Sequence, residues 1–111
     1  MLNMPVVFIT GCSSGFGREL AAASLARGYH VVATARDTNS LAALQAAHPD
    51  LCTVEQLDVT DARQCEDVIA RTIATRGIDV LINNAGRGML ASVEDSAEAA
   101  ARATVEVNFF A

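Results

Sequence analysis

The chain of 111 residues contains no lysine; all eight of its basic residues are arginine. Chemistry that needs a lysine ammonium is excluded from these residues. A P-loop is excluded with it, since its lysine reaches the β/γ-phosphates. Tryptophan is absent, and Tyr29 is the single tyrosine. The three cysteines, Cys12, Cys52 and Cys65, fit neither a zinc ribbon nor a C-x-x-C pair. They predict reduced thiols in a cytoplasmic protein. His30 and His48 stand alone, and a metal site takes three or four ligands, so no metal is expected. No apolar run approaches the roughly 18 residues that span a bilayer. Met1–Pro5 has neither a basic n-region nor an A-x-A-like cleavage site, so no signal peptide is expected. A net charge of −5 argues against nucleic acid as a partner, because counterion release needs clustered cations.

Apolar residues make up 51% of the chain and charged ones 19%, which excludes a disordered segment and fits one small domain. Pro5–Thr10 is a short β-branched run with proline where a missing N–H is tolerated, and it reads as a strand buried on both faces. Gly11–Gly17 is a glycine-punctuated turn. Arg18–Arg27, rich in Ala and Leu, predicts a helix with Gly28 just past its end. His30–Ala35 reads as a second strand, Ser40–His48 as a short helix stopped by Pro49, and Leu51–Leu57 as a third strand. Thr60–Arg76 predicts a helix capped by Thr60, with Cys65, Val68, Ile69 and Ile73 forming its apolar stripe and Gly77 ending it. Val80–Asn83 reads as a fourth strand, Ala85–Ala91 as a loop, and Ser96 as the cap of a last helix that runs to Ala111. Strict alternation of strand and helix predicts an α/β fold with a parallel sheet covered on both faces.

The run Thr10-Gly11-Cys12-Ser13-Ser14-Gly15-Phe16-Gly17 lies between the first strand and the first helix. A helix N-terminus presents unpaired amides and a positive dipole end, and glycine lets a phosphate approach the backbone. The spacing is G-x-x-x-G-x-G, not the G-x-G-x-x-G of the usual dinucleotide fold. At these residues the chain resembles the short-chain dehydrogenase/reductase family of the classical type, whose motif is T-G-x-x-x-G-x-G. The resemblance implies a Rossmann-type sheet of strand order 3-2-1-4. It also implies that Gly11, Ser13, Ser14, Gly15, Phe16 and Gly17 serve a dinucleotide cofactor.

The end of the second strand reads Ala33-Thr34-Ala35-Arg36. Dinucleotide folds place an acidic residue here for the ribose hydroxyls, or an arginine nearby for a 2′-phosphate. Ala35 stands where an NAD-binding family member would have Asp, and Arg36 follows it. A hydrogen bond from Arg36 to a phosphate is worth roughly 1.5–3 kcal/mol, a ten- to hundredfold preference, so the expected cofactor is NADP(H). Asp37 either complicates this field or caps the next helix.

Three further matches extend the resemblance from about Val6 to Asn108. Leu57-Asp58-Val59 follows the third strand, where family members place an Asp against the adenine; Asp58 and Val59 are thus implied cofactor contacts. Without the family, Asp58 is simply a polar residue before a helix cap. Asn83-Asn84-Ala85-Gly86, after Asp79-Val80-Leu81-Ile82, matches the N-N-A-G motif and implies Asn83, Ala85 and Gly86 beside the nicotinamide ribose. Val107-Asn108-Phe109 matches the helix asparagine that holds an ordered water in the family's catalytic relay, which implies Asn108 as a catalytic residue.

Family members oxidise alcohols or reduce carbonyls with a Tyr acid/base, a Lys four residues later and a Ser. Tyr29 is not that tyrosine, since position 33 is Ala. The expectation is therefore an incomplete doubly wound fold. Residues 1–111 would be the dinucleotide-binding part of one Rossmann-type domain, cut within the helix after strand four and inactive alone. The complete enzyme would take NADP(H) and a small alcohol or ketone, with the Cys-Ser-Ser-Gly-Phe-Gly wording resembling the branch that handles retinoids and steroids. It would lack a membrane span and form homo-oligomers. Two other readings stand beside it: a naturally short NADP-binding module whose open strand-four edge needs a partner chain, and a phosphate-binding α/β domain of other function.

Overall fold

The computed structural model describes residues 4–85. Four strands form one parallel sheet: β1 (Val6–Ile9), β2 (His30–Ala35), β3 (Cys52–Gln56) and β4 (Val80–Ile82). Their spatial order is β3-β2-β1-β4, the order that the resemblance implies. In register, Phe8 lies between Val32 and Leu81, and Val31 pairs with Val7 and Cys52.

The helices are α1 (Gly15–Ala26), α2 (Ala42–Ala47) and α3 (Ala62–Thr75), with a 3₁₀ turn at Thr38–Leu41 leading into α2. Alternation along the strands sorts the core into two layers. Val7, Ile9, Val31, Ala33 and Ala35 meet Ala21 and Leu25 of α1 and Leu44 of α2 on one face. Val6, Phe8 and Val32 meet Val68 of α3 on the other. Burying Phe8, Ile9, Val31 and Val32 almost completely contributes about 1.5–3 kcal/mol each. The expectation of a first strand buried on both faces agrees with β1, in which all four residues are buried.

Several expected boundaries move, each for a local reason. The first strand is Val6–Ile9, not Pro5–Thr10, because the Thr10 main chain already bends toward β4. The first helix begins at Gly15, not Arg18: Gly15 enters it at φ +61°, which glycine adopts readily, and Gly17 fits against the Gly11 carbonyl where no side chain would. The short helix Ser40–His48 divides into the 3₁₀ turn and α2, because the Asp37 side chain accepts from the Asn39 amide and winds the chain early. The third strand is Cys52–Gln56 rather than Leu51–Leu57, and the fourth ends at Ile82 rather than Asn83.

Thr60 does not cap α3. Asp61 does, through its carboxylate and the Gln64 amide at 3.0 Å, while the Thr60 hydroxyl donates to Asp58. Ile73 is not part of the buried stripe; it is 58% exposed, and Thr72 is buried in its place with its hydroxyl returned to the Val68 carbonyl. Gly28 and Gly77 close α1 and α3 at φ +81° and +79°, as helix-terminating glycines do. The expected Ala85–Ala91 loop beyond Ala85, and the helix from Ser96, lie outside the described residues.

One side chain stitches the sheet at its N-terminal end. The Asp79 carboxylate accepts from the Val6 amide at 2.7 Å, and its own amide donates to the Val6 carbonyl. His30 opens β2 with its Nε2 enclosed and without a hydrogen-bond partner among the described residues. Burial, with a smaller contribution from the Arg76 charge, holds its pKa below the ordinary 6.5. The unfolded chain therefore takes up this proton first as pH falls. Stability from this group is complete above about pH 6.5 and declines below it. Urea midpoints taken from about pH 7.5 to 5.5 should fall in the wild type, and His30→Gln should flatten that slope.

Candidate functional site

All four strands point their C-terminal ends to the same side, and the cleft lies there. Gly11, Ser13 and Ser14 follow β1. Ala35 and Arg36 close β2, Leu57, Asp58 and Val59 follow β3, and Asn84 and Ala85 follow β4. In an open parallel sheet this crevice, where the strand order reverses between β1 and β4, is where ligands bind.

The floor of the cleft is held by hydrogen bonds from Thr10. Its hydroxyl, on a residue only 4% exposed, accepts from the amides of Asn84 and Ala85, both at 3.0 Å. The Asn84 side chain donates to the Gly11 carbonyl at 3.1 Å. Glycine is required at two points here for lack of room. A Cβ on Gly17 would overlap the Gly11 carbonyl and the Asn84 side chain, and one on Gly11 would stand 2.8 Å from the Ala85 Cα.

The bend between β1 and α1 leaves donors available. The Cys12 amide is satisfied by the Thr34 carbonyl at 2.9 Å. The amides of Ser13, Ser14, Gly15 and Phe16 meet no main-chain acceptor outside the helix among the described residues. Ser14 sits at the N-cap in extended conformation, yet its hydroxyl makes no capping bond. No acidic residue occupies the first turn of α1. Unpaired amides, a positive dipole end and no carboxylate make this bend an anion cradle. Cys12 is not part of its surface. The thiol is fully buried, its Sγ reaches the Ile9 carbonyl, and burial pushes its pKa up to about 11, which makes it an inert neutral group.

The charges of the cleft come from Arg36 and Asp58. Arg36 is exposed, and Gln56 donates to its carbonyl. The Asp58 pKa lies below the usual carboxylate value, first because the Thr60 hydroxyl and amide both donate to its Oδ1, and further because of the Arg36 charge. Asp37 points its carboxylate at the Asn39 amide, so the helix-capping alternative describes it.

The expected site residues Gly11, Ser13, Ser14, Arg36, Asp58, Val59 and Ala85 thus lie around one cleft. Gly15, Phe16 and Gly17 form the first turn of α1 beside it and are not among its lining residues; Phe16 is 78% exposed. Asn83 is exposed and its neighbour Asn84 lines the cleft instead. Gly86 and Asn108 lie outside the described residues. Tyr29 precedes β2, at the opposite end of the sheet from the cleft.

The family model for short chain dehydrogenases matches residues 5–111. The chain belongs to the short-chain dehydrogenase family. As a short-chain dehydrogenase, it is 40% identical over 114 residues to human retinol dehydrogenase 8, covering 94% of this chain and 35% of that protein. The crystal structure of a short-chain dehydrogenase from Streptomyces avermitilis superposes with a TM-score of 0.93 at 41% identity, over 99% of this chain and 41% of that one. An alcohol dehydrogenase from the archaeon Thermococcus sibiricus, solved in complex with 5-hydroxy-NADP, gives a TM-score of 0.85 at 30% identity, over 96% of this chain and 47% of that one. This short-chain dehydrogenase chain spans about two fifths or less of most of the curated relatives it matches. Oxidoreductase membership and a Rossmann-type nucleotide-binding fold follow. Among the described residues no helix is long and apolar enough to cross a membrane.

The Thr10 contacts make a testable prediction. Thr10→Val keeps the shape and removes the acceptor for two amides, and an unsatisfied buried group costs about 1–3 kcal/mol. Denaturant unfolding should show a loss in that range for Thr10→Val and most of the stability retained in Thr10→Ser.

Proposed function

We propose that this chain is the cofactor-holding part of an NADP(H)-dependent oxidoreductase that interconverts alcohols and ketones. The observation that carries the reading is the position of Arg36. Its cation borders the same cleft as the anion cradle of Gly11, Ser13 and Ser14, and the preceding residue, Ala35, has no carboxylate to repel a 2′-phosphate. The NADP analogue held by the Thermococcus alcohol dehydrogenase supports the same cofactor class.

The residues divide the cofactor among them. The free amides of the bend take the pyrophosphate. Arg36, helped by the Ser13 and Ser14 hydroxyls, takes the 2′-phosphate, and Asp58 and Val59 border the adenine. Asn84, Ala85 and Gly86 serve the nicotinamide ribose, with Asn83 joining them to the end of β4. When bound, the nicotinamide supplies a hydride donor or acceptor. Asn108 would hold a water in the proton relay.

No Lys is present to lower a tyrosine's pKa from about 10, and Tyr29 lies at the far end of the sheet. Residues 1–111 are therefore one part of a single Rossmann-type domain, binding-competent but unable to transfer a proton. The whole enzyme takes a lipophilic alcohol or ketone, a class supported by the glycine-motif wording and by human retinol dehydrogenase 8 among the relatives. It works in the cytoplasm as a homo-oligomer.

Calorimetric titration with NADP+ and NAD+ tests the cofactor assignment. Wild type should favour NADP+, and Arg36→Ala should cut that preference about tenfold or more, with NAD+ binding little changed. An unchanged ratio overturns the NADP reading. The 111-residue protein itself should turn over no alcohol or ketone, and measured turnover by pure material would overturn the division of labour.

A further inference from the structure

Arg18 is the fourth residue of α1, in the turn where the helix dipole disfavours a cation. Its guanidinium does not turn back to its own helix; Nη1 donates to the Ser40 carbonyl at 2.9 Å. Ser40 belongs to a tightly bonded loop. Its hydroxyl donates to the Asp37 carbonyl at 2.7 Å and its amide to the same carbonyl at 3.3 Å, while the Asp37 carboxylate accepts from Asn39. Leu41, fully buried, anchors the far end. Arg36 precedes this loop directly, and Gln56 from β3 holds its carbonyl at 3.2 Å. The Arg36 side chain itself is exposed, so the main chain that carries it sets the region its cation can reach.

We infer that Arg18 is a positioning residue for cofactor discrimination: by fastening the 37–40 loop to the first turn of α1, it sets Arg36 at a fixed place relative to the anion cradle. The inference rests on the NADP reading of Arg36 and extends it to a residue that does not line the cleft. The cradle and the 2′-phosphate grip sit on different elements, the start of α1 and the end of β2. The Cys12 amide already ties the bend to the Thr34 carbonyl of β2, and Arg18 adds a side-chain bond from α1 to the loop that follows Arg36. Losing it leaves both binding groups and the sheet in place but loosens the main chain on the C-terminal side of Arg36, so only a ligand that uses both groups should suffer.

The probes are adenosine 2′,5′-bisphosphate and 5′-AMP, titrated calorimetrically into the 111-residue protein. Arg18→Met should weaken the bisphosphate about tenfold and 5′-AMP by less than about twofold. Arg18→Lys should recover part of the loss. In an Arg36→Ala background, Arg18→Met should have no further effect on the ratio, because there is no grip left to position. Gln56→Ala releases the Arg36 carbonyl without touching α1. It should lower the same ratio and keeps the test available if Arg18→Met unfolds. Equal losses for both probes, or an effect that persists without Arg36, overturn the positioning role. A wild type that binds both probes equally overturns the NADP reading and this inference with it, and is told apart by being seen before any variant is made.

Discussion

The cleft depends on one buried hydroxyl. Thr10 follows β1 directly and its hydroxyl accepts from the amides of Asn84 and Ala85, so the chain leaving β4 is pinned to the chain leaving β1. The three-residue β4 has only three register partners on β1, and Val80 and Leu81 remain about half exposed. A strand so short and so thinly covered needs fixing at its end. Asn84 completes the knot by reaching the Gly11 carbonyl, and Gly17 permits it by offering no side chain. The start of α1, the end of β1 and the end of β4 thereby become one rigid corner. The free amides of the bend have a fixed direction because their flanks cannot shift.

That corner explains how the glycine motif divides its work. Gly11 and Gly17 are excluded from carrying a Cβ by neighbours, whereas Gly15 stands in open space at φ +61° and is required by its backbone conformation. Cys12 turns inward and is consumed by the core. Ser13 and Ser14 are left facing the cleft. A single seven-residue run therefore contains packing residues, a conformational residue and ligand-facing residues, and spacing alone does not separate these roles.

Element order and sheet order were legible in the sequence because strand–helix alternation and right-handed crossovers leave few choices. Single-residue choices were not. Thr60 and Asp61 are both good helix caps, and only the turn made by Asp58 decides that Asp61 takes the amide. Ile73 outranks Thr72 in hydropathy, yet Thr72 can be buried because its hydroxyl bonds the Val68 carbonyl within the helix. Asn83 and Asn84 are identical in type and adjacent, so pattern could not say which faces inward. The difference is set by the Thr10 contact, a partner 74 residues away. In each case a hydrogen bond made locally or across the fold chooses between near-equal candidates.

The selectivity proposed for Arg36 turns on what the carboxylates around it are doing. Asp37 follows Arg36 in sequence and Asp58 feels its charge, and either could offset that charge. Both are drawn into backbone turns: Asp37 to the Asn39 amide, Asp58 to the amide and hydroxyl of Thr60. Those donor bonds hold each carboxylate at its own turn, although Asp58 still feels the Arg36 charge. Position 35, at the lip of the cleft, holds only a methyl group that is 4% exposed. An acid there would have no local turn to occupy it and would direct its charge into the cleft. The proposed preference for a phosphorylated ribose thus rests on a cation that lines the cleft, two acids tied into local turns and a position that carries no acid. If Arg36 grips a 2′-phosphate as proposed, exchanging it alone removes the attraction without supplying the acceptor that a ribose diol needs, so losing NADP(H) selectivity and gaining NAD(H) affinity would be separable steps.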